Sequence, residues 1–208
     1  MKERPILFST EMVQALLAER KTQTRRVIKP QPSKAAFGLV AWKGRDLTLN
    51  SFKNHSPYGQ VGDVLWVRET FTKLAPDHVI EGDYVFKANV DADSEEIRQD
   101  YIDRGYPYQW KPSIHMPKRA ARIWLKVTDV RVERVQDITE EDAKAEGIIS
   151  LIECSNPCRR KFIDLWAEIH SLESWYTNPW VWVVEFEVLS TAGKPNFENV
   201  EWLKQVNS

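Results

Sequence analysis

Seven consecutive residues, Arg20-Lys21-Thr22-Gln23-Thr24-Arg25-Arg26, carry four cations, two hydroxyls and one amide. A cluster that dense can grip a phosphate, with Arg20, Arg25 and Arg26 as donors. It can equally be the solvated basic end of a helix, because Lys and Arg interact well with the carbonyl-rich C-terminus. Both readings stand on the heptad alone. Arg68 and Glu69 close the apolar run Val64-Leu65-Trp66-Val67, either as solvated charges where a strand leaves the core or as groups that a strand end delivers to a cleft. Glu146 precedes Gly147 at the end of a short helix, where the helix dipole disfavours a carboxylate. His115, in a loop crowded with prolines, reads as a hydrogen-bonded loop residue. Cys154 and Cys158 at C-x3-C spacing, with no second pair, read as reduced structural thiols and not as zinc ligands. GxGxxG, P-loop, HExxH and GxSxG patterns are absent from the sequence, so no cofactor and no metal site is expected.

These residues need elements to position them. Met12, Val13, Leu16 and Leu17 paint one face of a helix starting after Ser9-Thr10 and running to Arg20 or Lys21. Pro5–Phe8, Val64–Phe71, Tyr84–Ala88, Arg122–Val135 and Trp180–Leu189 read as strands. In Arg122–Val135 the apolar parity slips near Thr128-Asp129, which predicts a β-bulge in a sheet curling towards a barrel. In the last strand, Trp182, Val184, Phe186 and Val188 are predicted to face inward. Thr139, with an acid three residues on and Ile138 placed against Ala143, signals a short helix ending at Gly147. Asn156-Pro157 opens another, with Phe162, Ile163, Trp166, Ile169 and His170 on one face. Residues 33–62 read as an irregular surface insertion with a hairpin near Leu39–Leu49, and Asp91–Asp103 is acidic with helical potential.

The chain has 208 residues and its charge is 29 − 30 = −1, so a polyanion contact has to be local. Among nine tryptophans, Trp124, Trp166 and Trp182 read as core. Trp42, Trp66 and Trp110, near Lys or Arg, suit either core packing or base stacking over a phosphate-binding rim. No window approaches the roughly 18 apolar residues of a membrane span and no signal peptide is recognisable, so a cytoplasmic protein without membrane contact is expected.

Several segments together resemble the ASCH family of the PUA-like superfamily. They are the helix leading into Arg20–Arg26, the run Gly62-Asp63-Val64-Leu65-Trp66-Val67, the Ile138–Ile148 helix with Ala145-Glu146-Gly147, and the strand Trp180–Phe186. The chain looks most like the larger members carried by bacteriophages and prophages. The resemblance implies an α+β fold, a PUA-like curled β-barrel with a few short helices. One domain would span 1–190, with insertions at about 33–60 and 88–117 and a tail at 191–208. It implies recognition of a nucleobase or RNA, with Arg20, Arg25, Arg26, Trp66, Arg68, Glu69 and Trp110 as candidate contacts. Some small members are metal-independent amidohydrolases that remove the acetyl group from N4-acetylcytidine. Their proton acceptor, nucleophile and proton donor correspond to Lys21, Thr24 and Glu146. The alternatives it leaves are a non-catalytic RNA- or nucleotide-binding module and an ASCH-type ribonuclease. A free lysine, with pKa about 10.4, becomes a base only through burial or neighbouring cations. Here a helix C-terminus is expected to oppose that change.

Overall fold

A computed structural model describes residues 1–34, 39–73, 84–89, 98–99, 102–104, 109–151 and 155–197. Cys154, the stretch from Asp91 to Ile97, the loop residues Tyr106, Pro107 and Tyr108, and the tail from Glu198 lie outside them. The described strands are β1 (Glu3–Leu7), β2 (Gln23–Val27), β3 (Ser33–Lys34), β4 (Val40–Trp42), β5 (Arg45–Leu47), β6 (Val64–Arg68), β7 (Phe71–Lys73), β8 (Tyr84–Phe86), β9 (Trp124–Arg134) and β10 (Trp180–Ser190). The described α-helices are α1 (Thr10–Leu17), α2 (Leu49–Lys53), α3 (Glu140–Ala145), α4 (Pro157–His170) and α5 (Leu172–Tyr176).

The fold is mixed α+β. Its largest sheet has the order β1-β6-β9-β10-β2, beside a three-stranded sheet β3-β4-β5 and a pair β7-β8. Among the described residues this sheet is open, which corrects the expected curled barrel. The outer edge of β2 meets the end of α3 instead of another strand: Thr22 N–H donates to Ala145 O at 2.8 Å, and Lys21 and Glu146 form an isolated bridge. That bridge covers backbone groups an edge would leave unpaired.

The chain forms two compact units. The first comprises Met1–Arg4, Ala18–Val64 and Lys126–Glu187, the second Pro5–Leu17, Leu65–Leu125 and Val188–Ser208. In the first, Val135, Ile138, Ala143, Cys158, Phe162, Trp166, Trp175, Val181 and Val183 make one apolar core. The α3 helix starts where the Thr139 hydroxyl accepts from Asp142 N–H while Asp142 accepts from Thr139 N–H, a reciprocal cap. Gly147 takes a left-handed φ of 91° just beyond it, where a side chain would be strained. Pro157 occupies the first turn of α4, and the buried residues Cys158, Phe162 and Trp166 follow at four-residue spacing. Ile169 is 54% exposed and His170 is exposed too, so the apolar stripe is narrower than predicted. In β10 Val181, Trp182, Val183 and Val184 are all buried. The strand is covered on both faces there, as a near-continuous apolar run indicates, and Val188 is partly exposed instead of inward.

Residues 39–62 are more regular than their composition predicts. Lys43 and Gly44 have φ of 48° and 74°, the left-handed pair that lets a two-residue turn join β4 to β5. Phe52 of α2 is fully buried, with its ring 5.0 Å from that of Trp182. This part of the expected surface insertion therefore belongs to the core of its unit.

Helix α1 ends at Leu17, short of the predicted stop. Beyond it no apolar residue continues the helical stripe, while the β-branched Thr22, Thr24 and Val27 favour extended backbone. Lys21 is therefore outside the carbonyl field at the end of α1, and the heptad enters a strand. In the second unit Phe71 and Lys111 exchange backbone hydrogen bonds of 3.2 and 2.7 Å, and Met116, Ala120 and Trp124 are buried.

Trp166→Ala is expected to cost about 3–5 kcal/mol by cavity formation, whereas Ile169→Ala should change stability by less than about 0.5 kcal/mol. Urea unfolding followed by circular dichroism measures both.

Candidate functional site

Regular pairing of β2 with β10 sets which side chains share a face. Gln23, Arg25 and Val27 lie opposite Glu185, Val183 and Val181, while Thr24 and Arg26 lie opposite Val184 and Trp182. Because strand side chains alternate, Gln23 and Arg25 look one way and Thr24 and Arg26 the other.

Lys21, two residues before β2, is 1% exposed. Its Nζ donates to Glu146 Oε2 at 2.8 Å, to Glu146 O at 2.9 Å and to Gln23 O at 2.9 Å. An ammonium has three N–H donors and here meets three acceptors. Burial pushes the Lys21 amine below the ordinary lysine pKa; the Glu146 carboxylate pulls it back up, and Arg26 and Arg25 push it down again. The expected opposition from a helix C-terminus comes from the end of α3 and not of α1: the carbonyl and the carboxylate of Glu146 both hold the ammonium.

The other oxygen of Glu146 faces Arg25, whose Nη1 lies 3.4 Å away. Arg25 Nη2 also sits 3.1 Å from Glu133 and 3.1 Å from Asp142. Arg131 extends the cluster, meeting Asp142 at 3.1 Å and pairing with Glu133 and Glu185. Gln23 Nε2 donates to Asp142 Oδ1 at 3.0 Å. Three cations and four carboxylates therefore converge on one face of β2. Burial alone would push the Asp142 carboxyl up, but the Thr139 N–H, Gln23 and Arg25 hold it below the ordinary value.

Lys21, Arg25 and Glu146 thus come into direct contact. Thr24 is 1% exposed, on the opposite strand face. Arg20 Nη1 donates to Gly147 O at 2.8 Å. Arg26 is half-buried, with Tyr58 and Glu146 near enough to act on its charge. Trp66, Arg68, Glu69 and Trp110 belong to the second unit. There Glu69 is 1% exposed and takes a two-pronged hydrogen bond from Arg122 at 2.9 and 2.8 Å, which overturns the solvated reading of that carboxylate. Arg122 stacks over Phe86 at 4.3 Å, Arg68 lies 5.5 Å from the Trp66 ring centroid and donates to Ile114 O, and Trp110 is half-buried.

The sequence reading missed Gln23, Arg122, Arg131, Glu133, Asp142 and Glu185 as members of these clusters. The signal available was Arg131 and Glu133 alternating with Val130 and Val132 in a long strand, an unusual place for solvated charge. Among the described residues no group of His, Cys, Asp or Glu is arranged to hold a metal ion, and no helix is long and apolar enough to cross a membrane.

No family model and no curated protein sequence matches the chain. A crystal structure of an ASCH domain from Lactobacillus crispatus JV V101 is similar to it, with 12% sequence identity and a TM-score of 0.37 over 91% of this chain and 80% of that one. The chemistry of the site therefore rests on its own residues.

Two outcomes follow from the cluster. Lys21→Met should destabilise by about 3–5 kcal/mol, because it leaves Glu146 in the interior with only the longer contact to Arg25, and adding Glu146→Leu should recover much of that loss; a double-mutant cycle in urea measures it. The folded pKa of Asp142 lies below its ordinary 3.8, so its contribution is present above that pH and is lost as pH falls through the folded value. Stability below about pH 4 should fall more steeply in the wild type than in Asp142→Asn, as read from melting temperature against pH.

Proposed function

We propose that the chain is an ASCH-type module that recognises a nucleobase or RNA, and that Lys21 and Glu146 are the proton-transfer couple of a metal-independent amidohydrolase acting on an N4-acylated cytosine nucleoside. The observation that carries this reading is a buried amine 2.8 Å from a carboxylate supplied by a segment 125 residues away. Ammonium plus carboxylate holds the same number of protons as amine plus carboxylic acid. Moving one proton along that hydrogen bond converts the resting pair into a base and an acid, and burial favours the neutral form of the Lys21 amine.

With the proton on Glu146, the Lys21 amine takes the proton of an attacking hydroxyl as its oxygen bonds to the acyl carbon. The carbon–nitrogen bond then breaks, and Glu146 gives its proton to the departing N4 amine. Lysine ends as ammonium and glutamate as carboxylate, which is the resting pair. Thr24 is the nucleophile that the resemblance implies; it leaves β2 on the face away from Arg25, so to attack, its hydroxyl has to turn towards Lys21 around the start of the strand, and its acyl ester is then hydrolysed by water, releasing the acid and restoring the hydroxyl. Arg25, bound to the other oxygen of Glu146, orients the carboxylate towards Lys21.

Purified full-length chain with N4-acetylcytidine and a chelator, followed by mass spectrometry, should release acetate. Lys21→Ala and Glu146→Gln should each slow release by about 100-fold or more. An inert wild type would reject this substrate, and full activity in Thr24→Ala would transfer the attack to water.

A further inference from the structure

The cations of the heptad are engaged inside the first unit: Arg25 by three carboxylates and Arg20 by a carbonyl. A different basic surface lies in the second. Within that unit, residues 104–125 include five Lys or Arg and not one Asp or Glu, in a chain whose net charge is −1; one of the five, Arg122, is paired with Glu69. Lys111, Lys118 and Arg119 from this stretch are exposed, as are Ile114 and His115.

The loop that presents them is pinned. Lys111 is bridged in both directions to Phe71, and the Arg68 guanidinium donates to the Ile114 carbonyl. Glu69 N–H meets the Met116 sulfur at 3.3 Å, and Met116 and Ala120 are buried anchors. Pro112 and Pro117 precede the two tight turns Ser113–His115 and Lys118–Ala120 and fix their entry angles. Solubility alone does not require a basic loop to be held this firmly, whereas preorganised cations bind a polyanion at lower entropic cost. Planar groups accompany the charges: Arg119 Nε donates to the Tyr84 hydroxyl at 3.0 Å, and the half-buried Trp110 adjoins Lys111. Cations strung along a loop beside rings suit a flexible strand that offers phosphates and bases in alternation.

We propose that the loop from Trp110 to Arg122 is a contact surface for single-stranded nucleic acid, with Lys111, Lys118 and Arg119 on its phosphates. This surface is independent of the Lys21 chemistry, and either reading can fail without the other. The test is fluorescence anisotropy of a fluorescein-labelled, mixed-sequence RNA of about 12 nucleotides with the full-length chain across a salt series. Lys111→Ala/Lys118→Ala/Arg119→Ala should bind about 10-fold or more weakly. Its plot of log affinity against log salt should be shallower by about 2, at ~0.7 per lost phosphate contact. Lys53→Ala, at an exposed lysine of the first unit, should bind as the wild type does. If the triple variant melts early, the single charge reversals Lys111→Glu and Lys118→Glu at exposed positions give the same readout. Unchanged affinity and slope in these variants, absence of salt-dependent RNA binding by the wild type, or equally tight binding of inorganic polyphosphate would overturn the proposal.

Discussion

A lysine amine and a glutamate carboxylate meet inside the first unit, and the surrounding structure is arranged to make that tolerable. Neither charge could be buried alone: an uncompensated ion in a protein interior costs several kcal/mol, and a pair recovers this only when its remaining hydrogen bonds are also satisfied. Lys21 satisfies all three of its donors, two of them on Glu146. Glu146 divides its carboxylate between Lys21 and Arg25. Its place at the end of α3, unfavourable on dipole grounds, is answered by these two cations. The same contact closes the outer edge of β2, so one interaction serves both the sheet and the candidate chemistry.

Around this centre the fold works by fixing orientations. The reciprocal cap at Thr139 starts α3 at a defined residue and, through Asp142, joins the helix to Gln23, Arg25 and Arg131. The core of Phe162, Trp166, Val181 and Val183 holds α4 against the strand that β2 pairs with. Side chains locked by packing and by neighbouring hydrogen bonds are what acid–base chemistry needs. In the second unit, Glu69 and Arg122 form a comparable buried pair, and Arg68 ties down a basic loop.

Local signals in the sequence were legible wherever the physics was local. The cap at Thr139, the proline opening α4, the turn between β4 and β5, and the burial of Trp124, Trp166 and Trp182 all follow from rules that span a few residues. Helix α1 was drawn too long because charge at Arg20 and Lys21 resembles a helix end, whereas the loss of apolar spacing after Leu17 decided the matter. Barrel closure could not be read, since it depends on which edges meet. The partners of Arg25 were hidden for the same reason: Glu133, Asp142 and Glu146 lie more than a hundred residues away in the chain, and nothing near them marks the destination of their charge. The family resemblance supplied Lys21 and Glu146; the geometry added Arg25 between them.

The central claim is that burial leaves Lys21 poised to exchange its proton with Glu146. The direct measurement is a titration of the Lys21 Nζ and Cε resonances by NMR in selectively labelled, full-length protein. The account predicts an apparent pKa below the ordinary 10.5, falling further in Glu146→Gln as the carboxylate that raises it is lost. A Lys21 that titrates at or above the ordinary value, unmoved by Glu146→Gln, would contradict it.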